Sequence, residues 1–111
     1  GLLMEDLIEY NKSDYDEEVF QRKLKSISDP TRFNIITLLM ERPYYVKELA
    51  EAMHLSAPTL SYHLNMLQID GFLGVKVKGK RTYYSLRKEA FLEIGENFIE
   101  LSKGIKEEES D

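Results

Sequence analysis

Apolar residues recur along this chain at two periods, and the change between them divides it. Leu3, Leu7 and Tyr10, with Met4 and Ile8 beside them, keep the i, i+4, i+7 spacing of one helix face over about residues 2–12. Asn11 to Asp14 interrupts that pattern with polar, turn-prone residues. Asp14 is expected to cap the next helix, with Glu17 as its capping-box partner and Val19, Phe20, Leu24 and Ile27 as its buried stripe. Asp29 then offers a carboxylate to free backbone amides, and Pro30 suits a first helical position. The helix behind it carries Phe33, Ile35, Ile36, Leu38, Leu39 and Met40. It is apolar over most of its surface, which predicts a central place in the core, and Pro43 stops it.

Two closely spaced helical patterns follow. Val46 to Met53 buries Leu49, Ala50 and Met53 and leaves Lys47, Glu48 and Glu51 outside. Ser56 is a second cap, and the helix it opens runs to about Asp70 on a stripe of Leu60, Leu64 and Leu67, with Gly71 as its stop. Two helices joined by so tight a turn, the second with a polar outer face, form a helix-turn-helix. The period then drops to two. Val75 and Val77 alternate with Gly74, Lys76 and Lys78, Gly79 marks a turn, and Arg81 to Leu86 returns through Thr82, Tyr83 and Tyr84. This predicts a β-hairpin with cations at its tip. From Lys88 the helical period resumes, and Phe91, Ile94, Phe98, Leu101 and Ile105 form a 3-4-3-4 seam weakened by Gly95 and Gly104. The acidic tail, Glu107 to Asp111, reads as a frayed end.

Charge changes this picture. The net charge of -5 argues at first against a nucleic-acid partner. Its distribution reverses that argument. Lys47 to Lys88 holds seven Lys/Arg against three Asp/Glu, and Lys76 to Lys88 holds six Lys/Arg and no acid, so the deficit lies entirely in the flanks. The chain has no cysteine, which removes disulfides and thiolate metal sites. No apolar run is long enough to span a bilayer, and Gly1 to Tyr10 carries three acids and no basic n-region, so neither a membrane span nor a signal peptide is expected and a cytoplasmic protein fits best. Opening on Gly1 instead of Met leaves a longer parent chain open.

In a helix-turn-helix the start of the second helix enters the major groove. Here that start offers Ser56, Ala57, Pro58, Thr59, Ser61 and Tyr62, with Asn65 one turn on. Hydroxyls bond bases or phosphates, and Ala57 and Pro58 suit a thymine methyl. The bland reading is that small polar residues merely cap and solvate a helix; the basic hairpin that follows weighs against it. Lys76, Lys78, Lys80 and Arg81 are flexible cations that gain affinity by releasing counterions from phosphates, and Arg81 suits a narrow minor groove. His63 reads as a partly buried structural or phosphate-contacting residue in preference to a metal ligand, His54 as a turn residue, and Arg32 as a structural ion-pair partner in preference to a DNA contact. No Ser-His-Asp spacing, Gly-rich phosphate loop or His/carboxylate cluster is present, so no enzyme is expected.

The run from Leu24 to Leu86 resembles the arsenical-resistance-repressor (ArsR-like) family of winged-helix regulators. The matching pieces are Asp29-Pro30-Thr31-Arg32 before an apolar helix, Val46 to Ala50 (VKELA), and Leu55-Ser56 with Thr59-Leu60-Ser61 and His63-Leu64. Leu67 with Gly71-Phe72-Leu73, and Gly79-Lys80 with Tyr83-Tyr84 before Leu86, complete the set. The resemblance implies an α+β, mainly α fold: a winged helix-turn-helix with a two-stranded β-hairpin wing and flanking N- and C-terminal dimerisation helices. It further implies a homodimer and repression by binding double-stranded operator DNA. Metal sensing does not carry over, since the positions where metal-sensing members place cysteines are Tyr45 and Lys47, and the last helix has no histidine. No metal or other cofactor is expected, and the effector is unknown.

These readings combine into one domain over residues 1–111, its core about 19–86, with terminal helices about 2–12 and 88–106. Leu3, Leu7, Phe91, Ile94, Phe98, Leu101 and Ile105 are the expected dimerisation residues, because a core over 19–86 leaves their stripes uncovered. A two-fold axis favours a palindromic operator. The competing reading is a winged-helix module that binds protein as a regulatory segment of a larger chain.

Overall fold

The structure, a computed structural model, describes residues 16–107. The expected helix over Leu3, Leu7 and Tyr10, and Asp14, lie outside the described residues.

Helix α1 (Glu17–Ser28) starts at Asp16, whose carboxylate accepts from the Glu18 and Val19 amides at 2.9 and 3.1 Å. The cap is therefore Asp16 and not Asp14. Glu17 becomes the first helical residue, too early in the helix to complete a capping box. Helix α2 (Pro30–Leu39) begins as its sequence predicts, with Asp29 accepting from the Arg32 amide at 3.0 Å and Pro30 in the first turn. Its place is less central than its composition suggests. Ile35, Ile36 and Leu39 are buried, but Phe33 and, at the cap, Met40 stay 56% and 74% exposed. Helix α2 packs against α1, the later helices and the sheet on one side only, so a nearly uniform apolar surface leaves one flank uncovered.

Strand β1 (Tyr44–Tyr45) leads into helix α3 (Val46–Met53). His54 closes α3 in the left-handed region, φ 55° and ψ 41°, so that Leu55 and Ser56 turn straight into helix α4 (Ala57–Ile69). Leu60, Leu64 and Leu67 of α4 are fully buried, and Gly71, at φ 83°, ends the element in a conformation that favours glycine. Strands β2 (Leu73–Lys78) and β3 (Arg81–Leu86) pair antiparallel from Leu73↔Leu86 to Lys78↔Arg81. Gly79 takes φ 62° at the first position of the two-residue turn, as a primed hairpin turn requires.

The expected two-stranded hairpin forms, and a third strand joins it. β1 pairs with β3 through Tyr44↔Tyr84 and Tyr45↔Tyr83, giving a three-stranded sheet of order β1-β3-β2. A two-residue strand has no periodicity to read, and only its partner makes it one. The register sorts the sheet into two faces: Tyr44, Leu73, Tyr84 and Leu86 turn toward the core, while Tyr45, Lys76, Lys78, Arg81 and Tyr83 share the other.

Helix α5 (Lys88–Lys103) begins where expected, but it is not spare. Ala90 and Ile94 are buried in the core, Phe91 packs on Phe72 with ring centres 5.2 Å apart, and Phe98 meets Phe20 edge-on at 5.0 Å. The core thus extends past Leu86, and the first half of the expected seam lies within the subunit. Only Phe98, Leu101 and Ile105 remain 48–69% exposed. Helix α5 ends at Lys103, before Ile105, where Gly104 serves as its cap.

Candidate nucleic-acid interface

The start of α4 is open to solvent. Ser56, Ala57, Pro58, Thr59, Ser61, Tyr62 and Asn65 are all exposed, Tyr62 by 60%. Two of the hydroxyls are already in use: Ser56 Oγ accepts from the Thr59 amide at 3.3 Å and donates to Thr59 Oγ1 at 2.9 Å. The remaining polar groups of this turn point outward because Leu60 and Leu64 anchor the opposite face.

Two polar networks hold that helix from behind. Arg32 is buried; its Nε donates to the Ser26 carbonyl at 2.7 Å and its Nη1 lies 3.1 Å from His63 Nδ1. This contact requires the lone pair of His63 on Nδ1. His63 and Arg32 are therefore braces between α2 and α4. Asp29, 3.9 Å from the His63 ring, has its carboxyl held below the usual range, first by the hydrogen bond from the Arg32 amide. At the far end of α4, the buried carboxylate of Asp70 takes Nε of Arg22 from α1 at 2.8 Å. Sequence spacing did not reveal this second brace, whose partners lie 48 residues apart.

The wing brings Lys76, Lys78, Lys80 and Arg81 to the surface, all exposed. Their settings differ. Lys78 and Arg81 face each other across the hairpin end, and each lies over a tyrosine: Lys78 Nζ is 5.7 Å from the Tyr83 ring centre, and the Arg81 guanidinium carbon is 4.3 Å from that of Tyr45. Lys80 occupies the turn itself. A groove of about 540 Å³ separates the wing from the helices, lined by Tyr45, Val46, Lys47, Ala50, Ala57, Lys80, Arg81 and Thr82. The first residue of α4 and the tip of the wing thus border the same concavity, which is cationic at Lys47, Lys80 and Arg81. Tyr45, Lys47 and Thr82 were not among the expected contacts. The usable signal was the Tyr44-Tyr45 pair after Pro43, two strand formers at a helix boundary.

The base of β1 is fixed by Glu48. Its Oε1 accepts from Arg42 Nη1 at 2.8 Å and from the Tyr45 amide at 3.2 Å. These contacts, the Arg42 bond first, keep the Glu48 carboxyl below the usual range. Among the described residues, no group of three or more His, Asp or Glu side chains is placed to hold a metal ion, and no helix is long and apolar enough to cross a membrane.

This arrangement matches known proteins. Residues 29–73 fit the family described as bacterial regulatory protein, arsR family. The transcriptional repressor SdpR of Bacillus subtilis (strain 168) is 40% identical over 62 residues, which cover 56% of this chain and 69% of that protein. The chain belongs to the arsR family. The arsenical resistance operon repressor of Staphylococcus xylosus is 32% identical over 74 residues, 67% of this chain and 71% of that one. A homodimeric winged helix-turn-helix DNA-binding domain from Mycobacterium bovis superposes with a TM-score of 0.63 at 19% identity, over 85% of this chain and 88% of that one. Its likeness bears on the fold, which in both is a winged helix-turn-helix. As an arsR-family member the chain is a DNA-binding transcription regulator.

Proposed function

We propose that this arsR-family chain represses transcription as a homodimer on a palindromic operator, in the cytoplasm where that DNA lies. The observation that carries the reading is the single groove shared by the start of α4 and the tip of the wing. Ala57, Pro58, Thr59, Ser61, Tyr62 and Asn65, with Ser56 at the cap, read or grip one major groove. Lys76, Lys78, Lys80 and Arg81 neutralise the adjoining backbone. The similar proteins, two of them repressors by name and one homodimeric, support the same reading.

The dimer contact falls on Phe98, Leu101 and Ile105, the part of the expected seam that the subunit leaves uncovered. Leu3 and Leu7, which the sequence assigns to the same contact, lie outside the described residues. Phe91 and Ile94 back the contact from the core side. A two-fold axis through that contact presents two copies of α4 to successive major grooves, about 34 Å apart. None of the 111 residues is a cysteine, so no thiol among them serves as a switch.

The test is selection of bound sequences from a random duplex pool, followed by mobility shift at two salt concentrations. The expected result is an inverted repeat bound at least a thousandfold, roughly, more tightly than random DNA. Enrichment of no sequence, with binding that is uniformly weak, would reverse the reading in favour of a protein-binding winged helix.

A further inference from the structure

Lys78 and Arg81 stand directly opposite each other at the end of the hairpin, where like charges repel. The sheet answers with two rings on the same face. Tyr45 and Tyr83 are cross-strand partners, their rings meeting edge-on at 5.7 Å and 68°. Lys78 sits over one ring and Arg81 over the other, at 5.7 and 4.3 Å. A guanidinium within about 6 Å of a ring centre is attracted by the negative face, and its planar shape suits stacking. Arg81 is thus drawn toward the body of the protein, although it is exposed and belongs to the wing.

The ring beneath it is itself firmly held. Tyr45 is tied to β3 by its backbone, to α3 by the bond from its amide to Glu48, and to Tyr83 by the edge contact. Glu48 also places a negative charge near Arg81. The strand pairing, the edge contact and the Glu48–Arg81 attraction each join the wing to the N-terminal end of α3, the helix packed against α4.

We propose that Tyr45 is a positioning residue for DNA recognition, its ring a platform that holds the Arg81 guanidinium at the groove beside Ala57. The idea rests on the regulator reading and deepens it. Four freely rotating wing cations would grip phosphates wherever they met them. One cation fixed relative to α4 instead sets the distance between the wing contact and the bases that α4 reads. Arg81 then engages the backbone or the narrow minor groove at a defined offset from the major-groove contacts.

The experiment compares wild type, Tyr45→Phe, Tyr45→Leu, Arg81→Ala and the Tyr45→Leu/Arg81→Ala double variant by mobility shift on the selected operator, with thermal melts alongside. Phe keeps the ring, whereas Leu keeps apolar bulk without it. Tyr45→Phe is expected to bind within about twofold of wild type, and Tyr45→Leu to weaken Kd roughly two- to fivefold. In the Arg81→Ala background, Tyr45→Leu should cost nothing further. Equal weakening in both backgrounds, or none in either, overturns the platform while leaving the regulator intact. Wild type that shifts no DNA overturns the regulator reading and the platform with it. A readout without DNA keeps the idea testable where Tyr45→Leu does not fold: the Arg81 side-chain protons of wild type and Tyr45→Phe should show upfield ring-current shifts in NMR spectra. Unshifted resonances in wild type overturn the proposal.

Discussion

Replacing Leu101 and Ile105 by Glu should turn a dimer into a monomer. Both side chains lie beyond the buried part of α5, 48% and 69% exposed, so changing them leaves the subunit core intact. Phe98 is a poorer choice, because its ring packs on Phe20 and its removal would also weaken the fold. Complete burial of a large aliphatic side chain is worth roughly 1.5–3 kcal/mol. Scaled by the fraction each leaves in water, the two contribute roughly 2–3.5 kcal/mol per subunit, and about 4–7 kcal/mol to a symmetric pair. At about 1.4 kcal/mol per tenfold, that is roughly three to five orders of magnitude in the dimer Kd, before the cost of facing carboxylates across a two-fold axis. Sedimentation velocity at micromolar concentration reads the outcome directly. Wild type should sediment as a dimer and the double variant as a monomer with an unchanged helical circular-dichroism spectrum. A wild type that is monomeric at that concentration refutes the argument, as does a variant that remains dimeric. A monomeric wild type also removes the geometric basis of the palindrome, whereas a dimeric variant moves the interface elsewhere.

Lys78→Ala with Lys80→Ala should weaken binding to all sequences and lower the slope of log Kd against log salt by roughly 0.9 for each phosphate no longer neutralised; an unchanged slope places the wing off the backbone. Alanine at Thr59, Ser61 or Tyr62 should shrink the gap between operator and random DNA by about 1–3 kcal/mol for each base-edge interaction removed, and equal weakening on both would mark the residue as a phosphate binder. Thr59→Ala also removes the bond with Ser56, so helix content is measured with it. Stability should fall in acid. The Asp29 and Glu48 carboxyls are both depressed in the folded state, so their contribution is complete above the ordinary values of 3.8 and 4.5 and is lost as pH drops through the lower folded values. Glu48→Gln should flatten the dependence of Tm on pH below about 4.5 relative to wild type; an identical pH profile would show that the Arg42–Glu48–Tyr45 contact carries no net stability.

Much of the fold was legible because local physics set it. Asp29-Pro30, Ser56 and Gly71 each act within one turn of their own position, and the structure uses all three as their chemistry suggests. The leucine stripe of α4 and the alternation of β2 and β3 are likewise properties of single segments read at the right period. His54 as a turn residue and Arg32 as a structural one followed from their neighbours in the chain, although the partners of Arg32 proved to be a carbonyl and a histidine instead of an acid.

What the sequence by itself determined, then, was the order and type of the helices α1 to α5 and of strands β2 and β3, the open polar start of α4, and the segregation of positive charge onto the wing. Each depends on residues within a few positions of one another. Tertiary structure alone decided the rest. Strand β1 exists only because β3 lies beside it, and Tyr45 becomes a platform only because that pairing brings it under Arg81. The seam of α5 is one continuous pattern in sequence, yet Ile94 is buried and Leu101 is not, since Phe72 and α1 cover it only as far as Phe98. The apolar girth of α2 likewise could not say which flank would be covered. Hydrophobic periodicity marks which side chains gain by leaving water; only the spatial order of the neighbouring elements determines which of them find cover inside the subunit and which await a partner.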